Sequence, residues 1–384
     1  MIYHKLGRLP HKRHVQFRKP NGELYHEELF GKEGFSGHAS LLYHLHPPTV
    51  LLKMEQPQSV KPEIAREVNM EPLNLKGFDI APEGDYIKSR KVLFLNNDLW
   101  IGLMAPSKSM DAYFYRNSDA DEMLFIHKGH GILHSPFGQL PFQYGDYLII
   151  PKGTIYQLEF EGTDNMILFI ESKSSIRFPK RYHNEFGQFL EHSPFCERDI
   201  RLPQNLESHE EEGQFVIKTK KHGMIYPYTY KYHPFDLVGW DGYNYPYAFS
   251  IFDFEPITGR IHLPPPIHQT FEGQNFVVCS FVPRLYDYHP DSIPAPYHHS
   301  NIDSDEILYY VDGDFMSRNN IRPGQFTLHP GGIPHGPHPG AIERSIGKKG
   351  TEELAVMIDP FNPVSITKEA MEIAIDDYYK AWHF

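Results

Sequence analysis

Cysteine is scarce: the 384-residue chain has two, Cys196 and Cys279. Two in a chain this long build no disulfide framework, which excludes the small stapled folds and fits a reducing compartment. Long hydrophobic runs are missing as well, for no apolar stretch approaches the roughly 18 residues of a membrane-crossing helix. The opening residues Met1-Ile2-Tyr3-His4-Lys5 hold no signal-peptide core, so a cytoplasmic home is expected. Basic charge is in deficit, with 37 Lys and Arg against 49 Asp and Glu and a formal net charge of -12. Without a basic stripe, nucleic acid and anionic membrane are poor partners. Hydrophobic residues at 40% allow a packed core, while 29 Gly, 33 Pro and 14% aromatics predict many turns joining short aromatic-rich strands. With 24 histidines present, no single one carries weight alone.

Residues 1–110 hold short apolar runs broken by Pro and Gly. Within them His44 and His46 form an H-x-H pair before Pro47-Pro48, which reads as a polar loop because no carboxylate follows at strand spacing. Residues 121–126 and 144–161 read as strands, and Gln157-Leu158-Glu159-Phe160-Glu161 alternates as a half-buried strand should. The charged stretch 196–223 is the one long composition shift, so the linker between two halves is placed there. Short strands resume over 248–283 and 305–328. The tail from Ser365 to Phe384 reads as a single helix capped by Thr367, with Met371, Ile375, Tyr378 and Trp382 at helical spacing.

One pattern occurs twice. Asp121-Glu122 opens a strand, Gly129 follows Glu122 by seven, and Gly145, Pro151 and Gly153 are spaced G-x5-P-x-G. Asp305-Glu306 opens another strand, Gly313 follows Glu306 by seven, and Gly324, Pro330 and Gly332 repeat the spacing. These motifs resemble the two signatures of the cupin superfamily, whose small jelly-roll β-barrel would then be present in duplicate. The expected fold is mainly β: a duplicated cupin with a C-terminal helix, residues 1–200 forming one half and 201–384 the other.

In the cupin pattern the second copy supplies His299, seven residues before Glu306, and His335, three after Gly332. Two imidazoles and one carboxylate make the facial triad of non-haem Fe(II) oxygenases, with three positions left for substrate and O2. The first copy has Tyr115 and Tyr156 in place of the histidines and keeps only Glu122, so it is expected to be structural.

Further matches are more specific. Pro334-His335-Gly336-Pro337, His299-Ser300-Asn301, LYHEELFG (24–31), SLLYHLHP (40–47), PFDLVGWDGYNYPY (234–247) and the tail around Thr367-Lys368, Tyr379-Lys380 and Trp382 resemble segments of the homogentisate 1,2-dioxygenase family. The resemblance implies Fe(2+), cleavage of homogentisate by O2 to 4-maleylacetoacetate in tyrosine and phenylalanine catabolism, and a homotrimer or homohexamer. It implies a catalytic histidine at His262, with His268 as competitor, and substrate contacts from His335, Asn301 and Phe315. Three positions depart from the pattern. The interval from His299 to Glu306 is one residue longer than the family's spacing, leaving Asp305 as a rival ligand; Ser300 replaces an arginine; and Phe315 replaces a tyrosine. A related enzyme acting on gentisate or another hydroquinone acid, or a non-enzymatic binding cupin, are the alternatives.

Overall fold

The computed structural model describes residues 2–315, 317–318 and 321–383. The repeat is legible in the backbone. Gly129 and Gly313 have φ of 97° and 90°, Gly145 and Gly324 both 86°, and Gly153 and Gly332 90° and 78°. A side chain at Gly313 would place its Cβ 1.9 Å from the Glu352 carbonyl oxygen, so the residue type is set by both conformation and space.

Each copy centres on the strand its acidic pair opens. Asp121–Lys128 lies between Asp146–Ile150 and Met166–Ser172 in a nine-stranded sheet, and Glu306–Asp312 lies between Phe326–His329 and Leu354–Pro360 in a six-stranded one. Met166–Ser172 is buried along its whole length, as a strand covered on both faces should be. Ile155–Phe160 alternates instead and joins an eight-stranded sheet. One continuous core runs through both copies, with Phe125 and Tyr147 from the first and Phe271 and Val278 from the second all fully buried. Fully burying each such side chain stabilises by about 1.5–3 kcal/mol. No helix among the described residues is long and apolar enough to cross a membrane.

Three expectations are corrected. The stretch 196–223 is not a linker. Glu212–Lys221 is a ten-residue strand paired with Met224–Tyr232 and, in parallel, with Phe114–Asn117. Ile217 and Thr219 are buried along it, and Lys220 is buried in an ion pair with Glu171, so charge content alone does not mark a linker. Leu237–Gly242 and Tyr247–Ser250 also pair with strands of the first half, while Leu73–Leu75 crosses to Phe326–His329 of the second, so hydrogen bonding does not divide the chain at residue 200.

The tail is not a single helix. Ser365–Thr367 is a strand, Lys368–Glu372 one short helix and Tyr378–Trp382 a 3-10 turn. Thr367 does cap, accepting from the Ala370 N–H. The Ile375 N–H then bonds to the Asn74 carbonyl and Asp377 turns left-handed at φ 57°, which ends helical propagation.

The third correction is His44, which is no loop residue. It closes strand Ala39–His44 and is buried. Its Nδ1 lies 2.6 Å from Asp236 Oδ1 and its Nε2 2.9 Å from Glu28 Oε2. Burial alone would lower its pKa, but these two acceptors lift it to about 9. The folded value exceeds the unfolded one of about 6.5. His44 therefore stabilises fully below pH ~6.5 and loses that contribution as pH rises through 9. Because Glu28 is partly open to water, we expect about 1–3 kcal/mol. Urea unfolding at several pH values should show wild type losing stability relative to His44→Gln across this window. A constant difference would refute the account.

Candidate metal centre and cavity

His299 precedes the strand that Glu306 opens, and His335 follows the strand that ends at His329. A two-way backbone bridge joins the histidines, each N–H 2.9 Å from the other's carbonyl. His299 Nδ1 lies 3.1 Å from the Tyr297 carbonyl, and His335 Nδ1 3.1 Å from that of Ile333. A carbonyl only accepts, so each Nδ1 carries the proton and each Nε2 presents its lone pair. Both Nε2 atoms are 3.4 Å from one Glu306 oxygen, and the three ligand-type atoms lie within 4.8 Å of one another. The Nε2 of His335 is buried with no hydrogen-bond partner. Two directed nitrogens and a carboxylate around a common point fit a divalent transition metal.

Burial would raise the Glu306 carboxyl, but the facing imidazoles of His299 and His335 hold it well below the usual carboxylate range. His299 is raised in turn, chiefly by the Glu306 carboxylate beside it. Asp305, the rival, faces elsewhere: its oxygens accept from the Gly331 and Val364 N–H groups at 2.8 Å each. The extra residue between His299 and Glu306 is accommodated without moving Glu306 off the strand start.

The first half shows the same frame with other chemistry. Tyr115 and Tyr156 face each other across paired strands as His299 and His335 do. Glu122 accepts from Tyr86 at 2.8 Å and Tyr156 at 2.7 Å, with Arg90 3.5 Å away. Directly opposite lies Glu171, paired with Arg90 and Lys220. In the second half the register Ile307 to Ile358 continues to Glu306 opposite Asp359. Asp359 Oδ1 is buried without a partner, and desolvation together with the Glu306 charge pushes its carboxyl well above the ordinary range.

Beside the triad lies a cavity of about 380 Å³ that His262, Asn301 and Phe315 line together with His299 and Glu306. His262 stands at its exposed side, its Nδ1 3.7 Å from Asp287 Oδ2 and its ring 5.1 Å from that of Tyr297. His268 also lines the cavity but is buried against Phe281, with burial and Arg284 holding its pKa far down.

Sequence reading missed Tyr310, Asp359, Arg318 and His329. The first two were findable, since Glu306, Leu308 and Tyr310 alternate on one strand and Ala355, Met357 and Asp359 on the next, and all six line the cavity. Arg318 follows Phe315 on a loop with no periodicity. His329, register partner of Glu306, stacks on His335 at 4.7 Å and meets Arg318 at 3.1 Å.

The family model described as homogentisate 1,2-dioxygenase N-terminal matches residues 9–251. The chain belongs to the homogentisate 1,2-dioxygenase family. That model ends before the triad, but one alignment spans the whole chain. A Saccharolobus solfataricus protein carrying a provisional dioxygenase name is 42% identical over 385 residues, covering 100% of this chain and 99% of that one. The homogentisate 1,2-dioxygenases of Mus musculus and Bradyrhizobium diazoefficiens are 24% and 26% identical, spanning 75% and 72% of this chain and 67% and 64% of theirs. Among solved structures, a cupin 2 conserved barrel protein from Leptotrichia buccalis aligns over 79% of this chain and 100% of its own, with 11% identity and a TM-score of 0.32. The cupin assignment of this homogentisate dioxygenase family member rests on its strand order and repeated turns.

Proposed function

We propose that this protein is an iron(II)-dependent dioxygenase that opens the ring of a hydroquinone carboxylic acid, with homogentisate as substrate and 4-maleylacetoacetate as product. One observation carries the reading. Two imidazoles whose Nδ1 atoms are tied to carbonyls converge with Glu306 beside a cavity of about 380 Å³, room for one substituted benzene ring. Bound by His299, Glu306 and His335, iron would gather substrate and O2 and let charge pass from ring to oxygen.

The chain's own residues do the rest. The paired strands fix three side chains before anything binds, so little reorganisation remains. Asn301 offers an amide to the substrate, and Phe315, Leu308 and Met357 give an apolar wall that excludes water. His262 takes the proton of a substrate hydroxyl at its ring nitrogen and returns it to product. Both oxygen atoms enter the product.

Because Phe315 lacks the hydroxyl that the family resemblance implies there, a second reading keeps the chemistry and changes the acid, gentisate being the first alternative. A cytosolic setting and a homotrimer or homohexamer belong to the same proposal; a 44.7 kDa species alone in sedimentation would exclude the assembly. Oxygen uptake by the iron-loaded protein on a panel of hydroquinone acids tests the function. Homogentisate should be consumed one for one with O2. Faster uptake on gentisate would move the substrate, and no uptake on any acid would leave a binding cupin.

A further inference from the structure

Two arginines line the cavity, and they differ in their counter-charges. Arg284 pairs with Glu353 at 2.9 Å. Arg318 is 9% exposed, yet among the described residues no carboxylate comes within ion-pair distance of it. Its Nη1 donates to the Gly336 carbonyl at 2.8 Å and its Nη2 meets His329 at 3.1 Å, while its Nε is buried with no partner. The hydroxyls of Tyr310 and Tyr378 adjoin it and carry no charge to offset it. Glu306, a carboxylate whose charge reaches it, already faces two histidines. A guanidinium withdrawn from water and left without an anion is costly to hold. It is also the group best shaped to receive a carboxylate.

We propose that Arg318 is the seat of the substrate's carboxylate, so that the cavity selects aromatic rings bearing an anionic side chain and discriminates against neutral hydroquinones of the same size. The inference rests on the function proposed above and deepens it. It also accounts for Phe315: with a guanidinium three residues on, the wall needs no hydroxyl there to hold the acid.

Equilibrium binding under nitrogen, where no turnover occurs, tests the seat. The metal-loaded full-length protein is titrated calorimetrically with 2,5-dihydroxyphenylacetate and with its neutral analogue 2-(2,5-dihydroxyphenyl)ethanol. Wild type should bind the acid about 10–100-fold more tightly, the range of a charge-assisted hydrogen bond in a buried site. Arg318→Gln, checked for metal content and a folded circular-dichroism spectrum, should bind both alike. Arg318→Lys keeps the charge without the fork and should retain part of the preference. Equal binding of the two analogues by wild type overturns the proposal without any variant. So does a folded, metal-loaded Arg318→Gln protein that still prefers the acid. Preference for the acid without oxygen uptake on any hydroquinone acid would sink the dioxygenase reading and leave the seat standing. Uptake with acid and alcohol alike would do the reverse.

Discussion

His335→Ala is expected to lose bound iron and all measurable oxygen uptake while remaining folded. His335 is 6% exposed, its Nε2 has no hydrogen-bond partner, and its ring stacks on His329. Removing it deletes one of two imidazoles and leaves a cavity, at a stability cost of about 2–5 kcal/mol by analogy with other large-to-small core changes. A core that runs through both copies is expected to absorb that loss, which circular dichroism checks. Two companions separate ligand from scaffold. Glu306→Ala should lose the metal as His335→Ala does. Asp305→Ala should keep it and instead lose stability, because the Gly331 and Val364 N–H groups forfeit their acceptor. Elemental analysis after reconstitution and dialysis reads all three. A His335→Ala protein that retains one iron per chain would end the metal assignment, and the opposite result for the two acids would shift the ligand by one residue.

The second large effect belongs to His262. Its side chain is 53% exposed and its nearest acid, Asp287, is 3.7 Å away, so an ordinary surface histidine is a real competitor to the proton carrier. The two differ in turnover alone. A carrier contributes about 10²–10⁴ in rate, and His262→Gln should slow oxygen uptake by that factor with iron content and anaerobic substrate binding kept. Turnover near the wild-type rate would refute the role. His268→Gln is then the decisive comparison, because His268 reaches the same cavity from a buried position with its Nδ1 unpartnered. A loss there and none at His262 would transfer the proton step to His268.

Periodic and repeated signals were legible before the fold was known. The turn glycines of both copies have the φ values their spacing implied, and His299, Glu306 and His335 meet as the repeat placed them. Local signals failed where the partner is remote in sequence. His44 read as a loop residue because its two acids arrive from 16 positions before it and 192 after it. Glu212–Lys221 read as a linker because ladder pairing with Phe114–Asn117, a hundred residues earlier, outweighs its charge content. The tail read as a helix because Met371, Ile375 and Tyr378 do keep helical spacing, while backbone pairing of Ile373 to Ile375 with Asn74 to Lys76 and the left-handed turn at Asp377 divert the backbone. Arg318 was invisible for a different reason: the absence of a counter-charge is a property of space, which spacing cannot express.

The paired acids at the two barrel centres differ in who supplies the balancing positive charge. Glu122 and Glu171 are offset by Arg90 and Lys220, which are covalent parts of the chain and cannot leave. Among the described residues no Lys or Arg lies within ion-pair distance of Glu306, and on the proposed reading an exchangeable ion takes that place. On that reading the molecule joins a barrel whose charge balance is permanent to one whose charge balance is conditional. A chelator would have a target in only one of them. Since the core is continuous across both, the permanent barrel would serve as a template that keeps the emptied one in register until metal returned.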